Sequence, residues 1–118
     1  MNFQVDVWLR GDNHATTASV PGLERTAGEW TDADVRFVLV EMLRAMDRQK
    51  NPAVEPDRLV QLRGLSWIVN PFEEGGVVIA IEITLGAAVA GPFQIEGEKL
   101  ESMIRRVLAA PPASVAIH

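Results

Sequence analysis

The sequence predicts one α+β domain over residues 1–110, a two-layer sandwich with a four-stranded, mostly antiparallel sheet and two helices on one face, in the order ββαββα. Strands are indicated by alternation of apolar and polar residues, clearest at 77–85. Helices are indicated at 32–49 and 96–109, where apolar residues recur at helical spacing. At 118 residues, the chain is long enough to bury a core without disulfide bonds.

The start of the chain is predicted to form a hairpin. Residues 3–9 alternate between apolar and other side chains, which predicts a strand with one apolar face. The Gly-Asp-Asn at 11–13 tolerates positive φ and is typical of a turn. Residues 14–20 are weakly patterned, but they contain no helix start and are predicted to pair back onto the first strand. Otherwise residues 10–30 would form a long structureless loop, which compact domains seldom contain.

The first helix has clear start and stop signals. Thr31 followed by Asp34 predicts a capping box in which Asp takes the usual place of Glu. Asn51-Pro52 ends the helix, because proline cannot continue the hydrogen-bond ladder. Its apolar residues cover more than one face, so we expect the sheet and a further element to pack against it.

The second half is predicted to repeat the pattern of the first. Two apolar strands between residues 59 and 85 are joined by a turn at 70–76, and a connection rich in small residues at 86–92 leads to the last helix. Strand, turn, strand, connector and helix thus recur at an offset of about 60 residues. Either a duplicated ββα unit or the same pattern without common ancestry accounts for this. The tail, residues 111–118, is predicted to be flexible.

Composition excludes several classes of function. The net charge is −5 and the Lys and Arg residues are scattered, which disfavours binding to nucleic acid or to an anionic membrane surface. The absence of cysteine excludes thiol chemistry. The first residues lack the pattern of a signal peptide, and the longest apolar run, 77–93, contains Glu82. We therefore expect a soluble, cytoplasmic protein.

One face of the sheet is predicted to be unusually apolar. If the hairpin loop is 71–74, Trp67 lies opposite Val78, and the second strand turns Val78 and Ala80 away from the helices. The same register places a charged pair, Arg63 and Glu82, on that face. The predicted interface is Trp8, Leu65, Trp67, Val69, Val78 and Ala80, with Arg63 and Glu82 among them.

So much exposed apolar area predicts a contact surface, most simply a twofold homodimer in which two sheets stack. Two alternatives remain open. A bulge at Gly64 would turn Trp67 inward, so that the faces would be assigned wrongly. The C-terminal tail could instead fold over this face.

Residues for catalysis or metal binding are sparse. The chain has two histidines, His14 and His118, so no metal site, cofactor or catalytic set is predicted. Asp6 and Glu82 could share the outer face near Arg63 and carry out acid–base chemistry. A cross-strand ion pair is the preferred interpretation of these charges.

The leading hypothesis is therefore a non-enzymatic binding or assembly module that acts as a homodimer or as one part of a larger protein complex. A second hypothesis is a small-molecule-binding protein with a pocket between the sheet and the first helix. That pocket would be lined by Phe37, Met42, Met46 and a tryptophan. A third hypothesis is a small acid–base enzyme that uses Asp6, Glu82, Arg63 or His14.

Overall fold

The computed structural model describes residues 2–53 and 62–109. In these two ranges no helix is long and apolar enough to cross a membrane. The predicted tail, residues 111–118, lies outside the described residues. The elements are β1 (Asn2–Leu9), β2 (Thr16–Pro21), a 3-10 turn (Ala27–Glu29), α1 (Asp32–Lys50), β3 (Ser66–Pro71), β4 (Val77–Ile83), β5 (Gly86–Phe93) and α2 (Gly97–Ala109).

The sheet has five strands, so the prediction of four was wrong. All neighbouring strands are antiparallel, in the order β2-β1-β5-β4-β3, and the order along the chain is ββαβββα. The additional strand is β5, which was predicted to be a connection. It lies at the centre of the sheet and joins the N-terminal hairpin to the β3–β4 hairpin.

Small residues explain why β5 was missed. The strand has the sequence Gly-Ala-Ala-Val-Ala-Gly-Pro-Phe, which is poor in the β-branched and aromatic residues that favour strands. Ala88 and Ala90 are fully buried in the core, and α1 packs against this strand. At Gly86 a Cβ atom would collide with the backbone of Trp8 and Leu9. Close packing on both sides therefore outweighs the low strand propensity of these residues.

Both helices pack on the same face of the sheet. A single buried cluster joins inner residues of the strands to residues of α1 and α2, and α1 contacts both the sheet and α2. The further element expected against α1 is thus α2. The predicted capping box is confirmed. The Asp34 N–H donates to Thr31 Oγ1 at a distance of 3.4 Å, and the Thr31 N–H donates to Asp34 Oδ2 at a distance of 2.9 Å.

The predicted register of the β3–β4 hairpin was wrong. Trp67 lies opposite Ile81, three positions from the predicted partner Val78. The loop is longer than predicted, because the Phe72 N–H donates to the Gly76 carbonyl and the Gly75 N–H donates to the Phe72 carbonyl, each over 3.0 Å. Side chains alternate between the two faces of a strand, so a register shift by an odd number of residues moves each side chain to the opposite face of the sheet. Trp67 and Val69 therefore face the helices, without any bulge at Gly64 being required.

The two halves are not equivalent units. The second half contains three strands where the first contains two. Trp8 and Trp67, which occupy matching places in the predicted repeat, lie on opposite faces of the sheet. The predicted pair of ββα units is therefore not found in the described residues.

Candidate functional sites

The first candidate is the outer face of the sheet, the face opposite the two helices. Its side chains alternate with the buried residues of each strand, and the pairing register places Val89 beside Ala80 and Ala80 beside Ile68. Ile68 is 52% exposed and Trp8 is 38% exposed. The apolar part of this outer face is formed by Trp8, Ile68, Val78, Ala80, Ala87 and Val89.

The side chains at the centre of the outer face are short. Alanine and valine occupy the middle strands, while Trp8 on β1 and Ile68 on β3 stand on either side. Since neighbouring strands are about 4.8 Å apart, about 14 Å separates β1 from β3. The described strands contain no Lys or Arg. The result is a flat, weakly charged strip between two larger side chains.

Two carboxylates lie beside this strip. Asp6 is on β1, where its Oδ1 accepts a hydrogen bond from Thr17 Oγ1 at 2.6 Å. Glu82 lies opposite Ser66 near the end of β4. The two acidic residues are on strands separated by β5, so a cooperating acid–base pair is not formed.

Half of the predicted interface residues lie on the outer face. Trp8, Val78, Ala80 and Glu82 are there, as predicted. Their grouping with Ile68, Ala87 and Val89 was missed. Ile68 would have been placed outward by the correct loop length, whereas Ala87 and Val89 could not be placed without recognising β5.

The other predicted interface residues belong elsewhere. Val69 is buried in the core, and Leu65 and Trp67 are partly buried against it. The guanidinium of Arg105 on α2 lies over the Trp67 ring, 5.8 Å from its centroid. Arg63 is exposed before β3 and is not opposite Glu82, so the predicted cross-strand ion pair was wrong. The shift of the hairpin register by three positions accounts for the inward placement of Trp67 and Val69.

The remaining candidates for chemistry are dispersed. His14 is exposed in the turn between β1 and β2. In residues 2–53 and 62–109, no group of three or more His, Asp or Glu side chains is placed to hold a metal ion.

The second candidate is a cavity of about 400 Å³ at one end of the sheet. It lies between the start of β1, the connector at residues 23–30 and the end of β5. Phe93 makes edge-to-face contacts with Phe3 and Trp30, with ring centroids 5.7 Å and 4.8 Å apart. These three rings form the apolar wall of the cavity.

The cavity opens where two strands diverge. The ladder between β1 and β5 ends at Val5 and Ala90, although β1 begins at Asn2 and β5 continues to Phe93. Pro92 has no N–H to donate to a ladder, and the register between β4 and β5 shifts at the same level. The divergence leaves a gap that the connector covers from one side.

An arginine stands at the rim of this cavity. Arg25 Nε donates to Asp34 Oδ2 at 3.0 Å, which ties the connector to the first turn of α1. Burial alone would raise the pKa of the Asp34 carboxyl, but hydrogen bonds from Arg25 and Thr31 outweigh burial and lower this pKa. Asp34 is therefore ionised near neutral pH and holds the guanidinium in place.

The cavity is not the pocket predicted from the sequence. Met42 and Met46 are fully buried in the core, while Phe37 is 36% exposed on α1. None of the three lines the observed cavity. A tryptophan does line it, and that residue is Trp30. This site gives no local signal in the sequence. The connector at residues 23–30 has no regular pattern, and β1 and β5, which pair beside the cavity, are far apart along the chain.

Comparisons with protein-family models, curated proteins and solved structures find no match for this chain. The outer face offers exposed apolar area. The cavity offers an aromatic wall and one positioned cation.

Proposed function

We propose that this chain is a non-enzymatic assembly module that forms a homodimer by stacking the outer faces of two sheets. The observation that carries the proposal is the exposure of Ile68 and Trp8 on a sheet face that no described element covers. Contiguous exposed apolar area of this kind is typical of interaction sites. Face-to-face packing of sheets is a common way to bury it.

The composition of the outer face favours a second copy as the partner. Its centre consists of small side chains, which lets another flat sheet approach to the usual spacing of about 10 Å. A twofold axis would place the same apolar strip on both sides of the contact, so each copy buries what the other exposes. Glu82 lies near the end of its strand, and Asp6 already has Thr17 as a partner. Neither carboxylate interrupts the row of apolar side chains that Val89, Ala80 and Ile68 form across β5, β4 and β3.

Sedimentation equilibrium over a range of protein concentrations tests the dimer. We expect a mass of twice the 12.9 kDa of the chain. Ile68→Glu should give a folded monomer, because the new carboxylate would be buried without a partner in the dimer. We expect the dissociation constant to rise by roughly 100-fold, equivalent to about 2.7 kcal/mol. Circular dichroism should show unchanged secondary structure, since position 68 is outside the core.

The matched control is Phe37→Glu. Phe37 and Trp8 are exposed to nearly the same extent, but Phe37 lies on α1, in the layer opposite the outer face. This variant should keep the mass of the wild-type protein. A wild-type mass of 12.9 kDa at every concentration would exclude the dimer. If removal of the tail, residues 111–118, were needed to produce dimers, the tail would be the natural occupant of the face and the proposal would be wrong.

A further inference from the structure

We propose that the cavity at the divergence of β1 and β5 binds a small aromatic carboxylate. This inference is independent of the proposed dimer, because it rests on other residues. The cavity volume of about 400 Å³ falls within the range of small-molecule sites, on the order of 300–1,000 Å³. Its arrangement, an apolar wall with a few polar groups at the rim, is also typical of such sites.

The wall favours a flat, apolar ligand. Phe3, Trp30 and Phe93 already contact one another edge to face, and aromatic rings prefer such arrangements or offset stacking. Trp30 is 7% exposed, and its Nε1–H has no acceptor among the described residues. A buried donor without a partner is unfavourable. An acceptor atom on a ligand that reaches this wall would relieve that unfavourable burial.

The rim favours a carboxylate on the ligand. Asp34 engages only the Nε atom of Arg25, and the two terminal nitrogens of this guanidinium have no partner in the described part of the chain. The Arg25 side chain is 56% exposed, so its free end is accessible. A planar guanidinium binds a carboxylate through two parallel hydrogen bonds. Because Asp34 holds one edge of the group, the other edge is presented in a restricted orientation.

Neutral donors and acceptors complete the rim. Asn2, Gln4 and Gln94 line the cavity, and within residues 2–53 and 62–109 their side-chain amides form no hydrogen bond. They can bind a ring substituent or the second oxygen of a carboxylate. The sheet thus supplies amides on one side, and the connector supplies the cation on the other.

Isothermal titration with three probes tests this inference. Benzoate combines a ring with a carboxylate, benzamide keeps the ring without the charge, and acetate keeps the charge without the ring. We expect saturable binding of benzoate, at least tenfold tighter than binding of either other probe. In proton–nitrogen spectra the Trp30 indole signal should shift on titration, while those of Trp8 and Trp67 should not. A Trp30→Phe variant assigns the signal.

Arg25→Gln should weaken benzoate binding at least tenfold. The matched control is Arg106→Gln, because Arg106 also pairs with an aspartate in the first turn of α1, Asp32, but does not line the cavity. Leu23→Trp provides a second test, since it fills the cavity from the connector and keeps the Arg25–Asp34 pair. This variant should abolish benzoate binding.

Three results would overturn the inference. They are no saturation by benzoate, equal affinity for benzoate and acetate, and equal loss of affinity in the Arg25 and Arg106 variants. Each can be separated from failure of the dimer, because the mass in solution is measured on the same samples. A monomer that binds benzoate would reject the dimer alone.

Discussion

Among single residues, Asp34 joins the connector to α1. Its Oδ2 atom accepts hydrogen bonds from the Thr31 N–H at 2.9 Å and from Arg25 Nε at 3.0 Å. Its side chain is buried, yet the pKa of the carboxyl is lowered. A group whose pKa is lower in the folded state stabilises the protein above its unfolded pKa, about 3.9 for aspartate. That stabilisation is lost as the pH falls through the folded pKa.

Asp34→Asn should therefore destabilise the protein at pH 7 by about 1–3 kcal/mol, because a capping carboxylate and the partner of Arg25 are lost. The difference from wild type should shrink as the pH falls below about 3.9, the pKa of aspartate in the unfolded chain, towards the lower pKa of the folded carboxyl, where the wild-type side chain also becomes neutral. Urea denaturation at pH 7 and pH 3 measures both effects. Asp32→Asn is the control and should lose less, because its pair with Arg106 is exposed. A difference that did not change with pH would contradict this account.

Among the elements, the β3–β4 hairpin shows how loop length sets the faces of a strand. Gly75 and Gly76 have φ angles of 109° and 79°, a region that glycine adopts without strain. The loop they help to close determines that Trp67 faces α2 and that its neighbours Ser66 and Ile68 face outward. Adjacent positions on this strand should therefore differ sharply in their tolerance of a charge.

Trp67→Lys and Ser66→Lys place the same residue on opposite faces. Trp67→Lys should reduce the free energy of unfolding by about 3 kcal/mol or more, because a large ring is removed from the core edge and a cation is placed near Arg105. Ser66→Lys should change it by less than about 0.5 kcal/mol, as at other exposed positions. Chemical denaturation followed by circular dichroism compares the two. Equal losses would be inconsistent with the observed register.

Elements with strong local signals were predictable from the sequence. β1, α1 and α2 follow clear periodicities, and Thr31 with Asp34 marks a helix start by side-chain chemistry alone. β5 was not predictable, because its alanines have low strand propensity. They adopt a strand only because α1 packs on them and because β1 and β4 pair with β5 on either side. The hairpin register depended on a loop that is one residue longer than predicted and starts one residue later, 72–76 in place of 71–74. The cavity combines Phe3 with Phe93, which only long-range strand pairing brings together.

For the whole molecule, the central position of β5 connects distant parts of the chain. β1 pairs with β2 on one side and with β5 on the other, so the N-terminal hairpin completes a sheet formed mainly by the second half. Across the helical layer, Arg106 donates to both carboxylate oxygens of Asp32 at 2.8 Å, joining the end of α2 to the start of α1. We therefore expect the stability of the sheet to be highest at its centre.

Hydrogen exchange should show this gradient. Amides in β5 and in the facing parts of β1 and β4 should exchange slowest, because they open only on global unfolding. Those of the two outer strands, β2 and β3, should exchange at least tenfold faster. Exchange measured by nuclear magnetic resonance resolves individual amides. Equal protection of β2 and β5 would show that the sheet opens as one unit.

The two edge strands of the sheet affect whether strands of other chains can add to it. β2 and β3 are each six residues long, and each ends in a proline, Pro21 or Pro71, which has no N–H to offer to another chain. Lateral addition of further strands, the route to fibrils, is therefore disfavoured at both borders. The proposed association through the outer face would use up that face in a single step. Such a protein would stop at a finite complex and would not polymerise.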